Sequence, residues 1–89
     1  LYFSFSLLFP PYHSGHNIIF IMERIKVTSS NVNSVGYSNG VLEVEFKNNS
    51  IYQYKNVIEF LFVQLLRASS KGKFLKQHIE NRYVPKKIK

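Results

Sequence analysis

The dipeptide Asn39-Gly40 restricts the fold more than any other feature, because it lies between two segments in which apolar and polar residues alternate. Asn-Gly is the strongest short signal for a two-residue β-hairpin loop, since both residues of a type I′ turn need a positive φ. Such a loop pairs Ser38 with Val41 and places five apolar side chains on one face of the sheet. They are Val35, Tyr37, Leu42, Val44 and Phe46.

The same register pairs Asn33 with Phe46. The opposite face of this hairpin carries Glu43 and Glu45. A face with charged side chains is expected to stay open to solvent while the apolar face is covered by other elements. We therefore interpret both glutamates as part of a solvated polar face. Paired carboxylates also suit acid–base chemistry, which is the alternative.

A second turn follows at Lys47–Ser50, and its length decides where two tyrosines point. A two-residue loop puts Tyr52 and Tyr54 on the polar face. A three-residue loop with Asn49 in the left-handed conformation puts them on the apolar face and brings Gln53 to the glutamates. The three-residue loop is favoured because it keeps one face apolar. The tyrosines are then core residues with their hydroxyls at the rim, and base stacking is the alternative.

Two helices are predicted after the strands. The run Val57–Ala68 is too long for a buried strand and fits an apolar helix, with Asn56 as a plausible N-cap. Ser69–Gly72 interrupts it, and Ser70 can cap a second helix that continues to about Tyr83. Pro85 ends that helix.

The predicted fold is α+β: a three-stranded antiparallel meander with two C-terminal helices packed on its apolar face. Ile25–Val27 can add a fourth strand. With 89 residues the chain forms one small domain, predicted to span residues 22–84, and residues 85–89 are predicted as a basic tail.

Residues 1–21 contain no charged side chain and are expected to lie outside this domain, because the only methionine, Met22, directly precedes the patterned region. The alternative is a hydrophobic arm that docks on a neighbour. No apolar run reaches the 18 residues needed to span a bilayer, and a secretory signal with a positive n-region is missing. We therefore expect a cytoplasmic protein with no membrane partner.

The formal net charge of +7 is concentrated near the C-terminus: residues 67–89 hold eight cations and one acid, Glu80. Such a block is typical of a surface that binds a polyanion, although a lysine-rich composition without a binding role is the alternative. The chain contains no cysteine and no aspartate. This excludes thiolate metal sites, a cysteine nucleophile and aspartate-based triads, so we predict no metal, no cofactor and no enzymatic activity.

The segment Ser69–Lys73 is the strongest candidate site, since a helix start with a glycine allows an anion to approach backbone N–H groups. Its structural alternative is a helix–helix corner. The residues predicted to contact nucleic acid are basic residues of the C-terminal segment, residues of this corner, and two tyrosines. They are Arg67, Ser70, Lys71, Gly72, Lys73, Lys76, Arg82, Tyr52 and Tyr54.

Residues 25–83 resemble the KTSC domain, a family named after the C-terminus of some lysyl-tRNA synthetases. The matching stretches are Ser29–Val32, Val35–Tyr37, Leu42–Phe46, the Tyr52-Gln53-Tyr54 element, and Leu65–Phe74 with Ile79 and Tyr83 beyond it. The resemblance implies a protein of unknown molecular function for which RNA binding is suggested.

Two functions are consistent with these features. One is an accessory module that binds RNA, for example tRNA-like RNA, through its basic C-terminal helix and mainly through phosphate contacts. The other is a protein-interaction module whose positive charge is incidental, and which uses the open face of the sheet or the N-terminal arm.

Overall fold

The computed structural model describes residues 22–89, which form an α+β fold. Within these residues one antiparallel sheet has five strands in sequential order: β1 (Ile25–Lys26), β2 (Val32–Ser38), β3 (Val41–Phe46), β4 (Ile51–Tyr54) and β5 (Pro85–Lys87). Helix α1 (Glu59–Arg67) and helix α2 (Lys71–Phe74) follow β4, and α2 continues directly into a π-helical segment (Leu75–Glu80). Residues 1–21, including the predicted extension and its alternative as a docking arm, lie outside the described residues.

The first hairpin has the predicted loop. Asn39 and Gly40 have φ values of 50° and 82°, and Ser38 pairs with Val41. The predicted pairing of Asn33 with Phe46 is wrong, because a β-bulge inserts Asn33 as an extra residue and Val32 pairs with Phe46 instead. The bulge brings Val32 into the core, where it is fully buried.

The second hairpin has the predicted three-residue loop. Asn49 is left-handed with a φ of 73°, and the amide of Phe46 donates to the carbonyl oxygen of Ser50 at 2.9 Å. Val44 therefore pairs with Tyr52. This register places the tyrosines of β4 on the apolar face and Gln53 beside Glu43.

Helix α1 begins at Glu59, with Ile58 as the N-cap residue, so the prediction of Asn56 as the cap is wrong. Asn56 is left-handed, with a φ of 64°, and turns the chain out of the sheet. Val57 is not helical because its backbone amide and carbonyl are both hydrogen-bonded to the first hairpin. Its amide donates to the Gly40 carbonyl at 2.9 Å, and its carbonyl accepts from the Tyr37 hydroxyl at 2.5 Å.

The chain after the second helix differs from the prediction in two respects. The helical segment ends at Glu80 and not near Tyr83, because the amides of Arg82 and Tyr83 both turn back to the carbonyl of Ile79 at 3.0 Å. The stretch predicted as a basic tail adds a strand, since β5 pairs with β4 along its whole length. Pro85, which lacks an N–H group, lies on this edge strand, where a missing donor is tolerated.

The two helices cover the apolar face of the sheet, as predicted. Phe62 and Leu65 of α1 and Leu75 and Ile79 of the π-helical segment are fully buried. They pack on strand residues that share this face, namely Val32, Val35, Tyr37, Leu42, Val44 and Tyr54. The Tyr37 and Phe62 rings stack with centroids 5.3 Å apart, which joins the first hairpin to α1.

The opposite face of the sheet is more closed than predicted, since Glu43 is only 6% exposed. The guanidinium of Arg24 donates to the Glu43 carboxylate, and Gln53 donates to its other oxygen at 2.7 Å. Arg24 reaches Glu43 because residues 22–24 pass close over Gly36, where an added Cβ would lie 2.5 Å from the carbonyl oxygen of Glu23. The prediction of a solvated face therefore fails at Glu43.

Candidate functional site

A groove of about 970 Å³ lies between the β3–β4 loop, strand β4 and helix α2, and we call it the first groove. Three exposed lysines line it: Lys47 from the loop, and Lys73 and Lys76 from the second helix and its continuation. Phe46 and Tyr52 provide aromatic surface, and polar side chains such as that of Asn31 stand beside them. The groove thus combines positive charge, ring faces and hydrogen-bonding groups.

The first groove brings together residues that the sequence analysis selected from two distant stretches of chain. Tyr52 and Tyr54 belong to β4, whereas four further lining residues come from the start of the second helix and its continuation. These four are Ser70, Gly72, Lys73 and Lys76. Packing of the helices on the sheet is the step that places both sets on one surface.

The corner before α2 owes its geometry to two short residues. Ser70 caps the helix, since its hydroxyl oxygen accepts a hydrogen bond from the amide of Lys73 at 3.3 Å. Gly72 lies against the β1–β2 loop, and an added Cβ at this position would be 3.0 Å from Nδ2 of Asn31. The absence of a side chain at Gly72 leaves room for the side chain of Asn31, which also lines the groove.

Three of the residues predicted to contact nucleic acid do not line the first groove. The ammonium group of Lys71 donates to the carbonyl oxygen of Ala68 at 2.7 Å and so closes the end of α1. Arg67 is exposed at the last position of α1. Arg82 lies in the turn that follows the π-helical segment and borders a different depression.

The two tyrosines of the first groove have different environments. Tyr52 is half-buried, and its ring makes an edge contact with Phe46 at a centroid distance of 5.8 Å. Tyr54 is buried, and this desolvation, with smaller contributions from Glu80 and Tyr52, raises its pKa to about 12. Tyr52 is therefore the ring that a ligand can reach, whereas Tyr54 is part of the core.

The raised pKa of Tyr54 predicts a loss of stability at alkaline pH. The phenol ionises near pH 10 when the chain is unfolded and near pH 12 when it is folded, so its contribution is complete below pH 10 and is lost as the pH rises towards 12. Between pH 9 and 11 we expect the free energy of unfolding to fall by about 1 kcal/mol more in the parent protein than in Tyr54→Phe. Urea unfolding at both pH values measures this difference, and equal losses would contradict the assignment.

A second groove, of about 590 Å³, lies beside the start of β5. Lys55, Arg82 and Lys86 line it together with the apolar turn of Tyr83 and Val84, and no acidic side chain lines it among the residues described. Pro85 lines both grooves. The second groove is where the structure places Arg82.

Several lining residues of the first groove were missed by the sequence analysis. Lys47 was passed over because the charges of the central segment balance, although the three-residue loop that it begins lies next to Tyr52 in the predicted register. No sequence feature near Asn31 or Pro85 indicated a binding residue. Others of this kind are Ser30, Asn48, Ser50 and Glu80.

The described residues contain no group of three or more side chains placed to hold a metal ion. Over the same part of the chain, none of the helices is both long and apolar enough to cross a membrane. His78 is half-buried and packs against Phe74, with ring centroids 4.6 Å apart.

The comparisons with known proteins agree on one family. The sequence model of the KTSC domain matches residues 28–83. The crystal structure of a KTSC domain protein from Yersinia pestis is similar over 78% of this chain and 100% of that chain, with 33% sequence identity and a TM-score of 0.71. The search of curated proteins found no match.

Proposed function

Since the chain belongs to the KTSC domain family, we propose that it is a cytoplasmic RNA-binding module, not an enzyme, and that RNA occupies the first groove. The observation that carries the proposal is the meeting of Tyr52 with Lys73 and Lys76 on one surface. Strand β4 contributes the aromatic ring, and helix α2 with its π-helical continuation contributes the two cations. Neither segment forms a binding surface alone.

The chemistry of the first groove suits a nucleic-acid backbone. Lys47, Lys73 and Lys76 are exposed, and each can neutralise a phosphate and release a condensed counterion. The exposed part of the Tyr52 ring can stack on a base, which is worth about 1–3 kcal/mol per base. Glu80 is the acidic residue in the lining and lies near Tyr54, so phosphate is expected on the lysine side of the groove.

The proposal is tested by removing charge from the first groove. Replacing Lys73 and Lys76 by glutamine keeps hydrogen-bonding capacity and deletes two phosphate contacts. Binding of an unstructured RNA, followed by fluorescence anisotropy at several salt concentrations, should weaken, and the slope of log K against log salt should become shallower by about 1.4–1.8 units.

The matched control is Lys26→Gln/Lys89→Gln, which removes the same charge from two exposed positions outside both grooves. We expect the control to leave the salt slope within about 0.3 units of the parent value. Equal effects of both double variants, or no RNA binding by the parent protein at low salt, would refute the proposal.

A protein-interaction module is the second candidate, and one observation favours it. Ile58 and Phe60, at the start of α1, are 61% and 63% exposed, although both are large apolar residues. Large apolar side chains that are exposed to this degree can take part in a contact surface. Loss of a partner on Phe60→Ala, with RNA binding absent from the parent protein, would support this candidate over the first.

A further inference from the structure

The first and second grooves lie on opposite faces of the sheet and meet at its edge. Tyr52 and Tyr54 of the first groove point to the helix-covered face, whereas Gln53 of the second groove points to the other face. Strand β5 is the last strand of the sheet within the described residues, and Pro85 at its start lines both grooves. A continuous path therefore runs from one groove to the other around the start of β5.

Positive charge lines both parts of this path, and Glu80 is the acidic residue that also lines the first part. Lys47, Lys73 and Lys76 line its first part. Lys55, Arg82 and Lys86 line its second part, and their long side chains are all exposed. The bend between the two parts is formed by Pro85, which is uncharged. A ligand that fits must carry regularly spaced negative charge and must bend sharply.

From this geometry we infer that the domain binds single-stranded nucleic acid, which wraps around the start of β5 and places phosphates in both grooves. The inference rests on the proposed function and adds the second groove and the strandedness of the ligand. A duplex cannot follow this path, because duplex DNA has a persistence length of about 150 base pairs and does not turn around the edge of one strand. A single strand bends freely and can stack a base on Tyr52.

The wrapped path predicts a dependence on ligand length. Single strands occupy about 4–16 nucleotides on small binding domains, so a four-residue oligouridylate covers one groove and a twelve-residue one can reach both. We expect the 12-mer to bind with a steeper salt dependence than the 4-mer. A 12-base-pair RNA duplex is expected to bind more weakly than the single-stranded 12-mer at equal salt.

Removing charge from the second groove is expected to change binding of the 12-mer and not that of the 4-mer. The variant Lys55→Gln/Arg82→Gln should flatten the salt slope for the 12-mer by about 1.4 units, at 0.7 per contact for single strands, and should leave the 4-mer unchanged. Lys26→Gln/Lys89→Gln again removes two positive charges at exposed sites outside both grooves. Thermal melting of each variant checks that the fold is intact.

The outcomes distinguish this inference from the proposed function. If Lys73→Gln/Lys76→Gln weakens binding of the 12-mer and Lys55→Gln/Arg82→Gln behaves like its control, RNA binds in the first groove alone and the wrapped path is wrong. Equal binding of duplex and single strand also overturns it. If the parent protein binds none of the three RNAs at low salt, the proposed function itself fails.

Discussion

Replacing Phe62 by alanine is expected to lower the free energy of unfolding by about 3–5 kcal/mol. Phe62 is 1% exposed, stacks on Tyr37 and joins α1 to the first hairpin, so the deletion leaves a cavity where the two layers meet. A domain of this size has a total stability of roughly 5–15 kcal/mol, so this loss is a large fraction of the total. Urea unfolding followed by far-UV circular dichroism measures the loss.

Phe60→Ala is the matched control for this prediction. It removes the same side chain from the same helix two residues earlier, at a position that is 63% exposed. We expect its cost to stay below about 1 kcal/mol, because little apolar surface returns to water. Similar losses in the two variants would mean that α1 does not pack on the sheet through Phe62.

Replacing Arg24 by methionine is expected to destabilise the fold by about 2–4 kcal/mol at neutral pH. The buried Glu43 carboxylate would lose its cation and keep only the hydrogen bond from Gln53. Ser34 would lose the donor that now reaches its hydroxyl at 3.1 Å. Burying the Glu43 carboxylate without its cation costs more free energy than the Arg24–Glu43 ion pair contributes to stability.

A double variant tests the cause of that loss. Arg24→Met/Glu43→Gln removes both charges, and we expect it to recover at least half of the stability lost in Arg24→Met, since a neutral amide is cheaper to bury than a carboxylate. Lys26→Met, an exposed cation on β1, should cost less than about 0.5 kcal/mol. Failure of the double variant to recover would show that Arg24 acts through packing and not through its charge.

The strand registers could be predicted from the sequence because they depend on interactions between near neighbours. Asn39-Gly40 and Asn49 determine the loop geometry through their left-handed backbone, and alternation then assigns each side chain to a face. The same argument placed Tyr52 correctly. The bulge at Asn33 was missed, since one inserted residue leaves almost no trace in the alternation.

The candidate site could be predicted only in part. Lys73, Lys76 and the Ser70-Gly72 corner were found because basic residues, a cap and a glycine near a helix start are local signals. Nothing local showed that Lys71 would turn back to Ala68. The pairing of β5 with β4 also brings together residues that are more than thirty positions apart in the chain.

The turns, the two faces of the sheet and the helical segments thus follow from the sequence, because backbone preference and side-chain periodicity act over a few residues. The tertiary structure alone closes Arg24 over Glu43 and separates Arg82 from Lys73 and Lys76 into two grooves. Those arrangements depend on where β1 and β5 lie at the edges of the sheet. The positions of edge strands are set by the burial and hydrogen bonding of the whole domain, which no short stretch of sequence encodes.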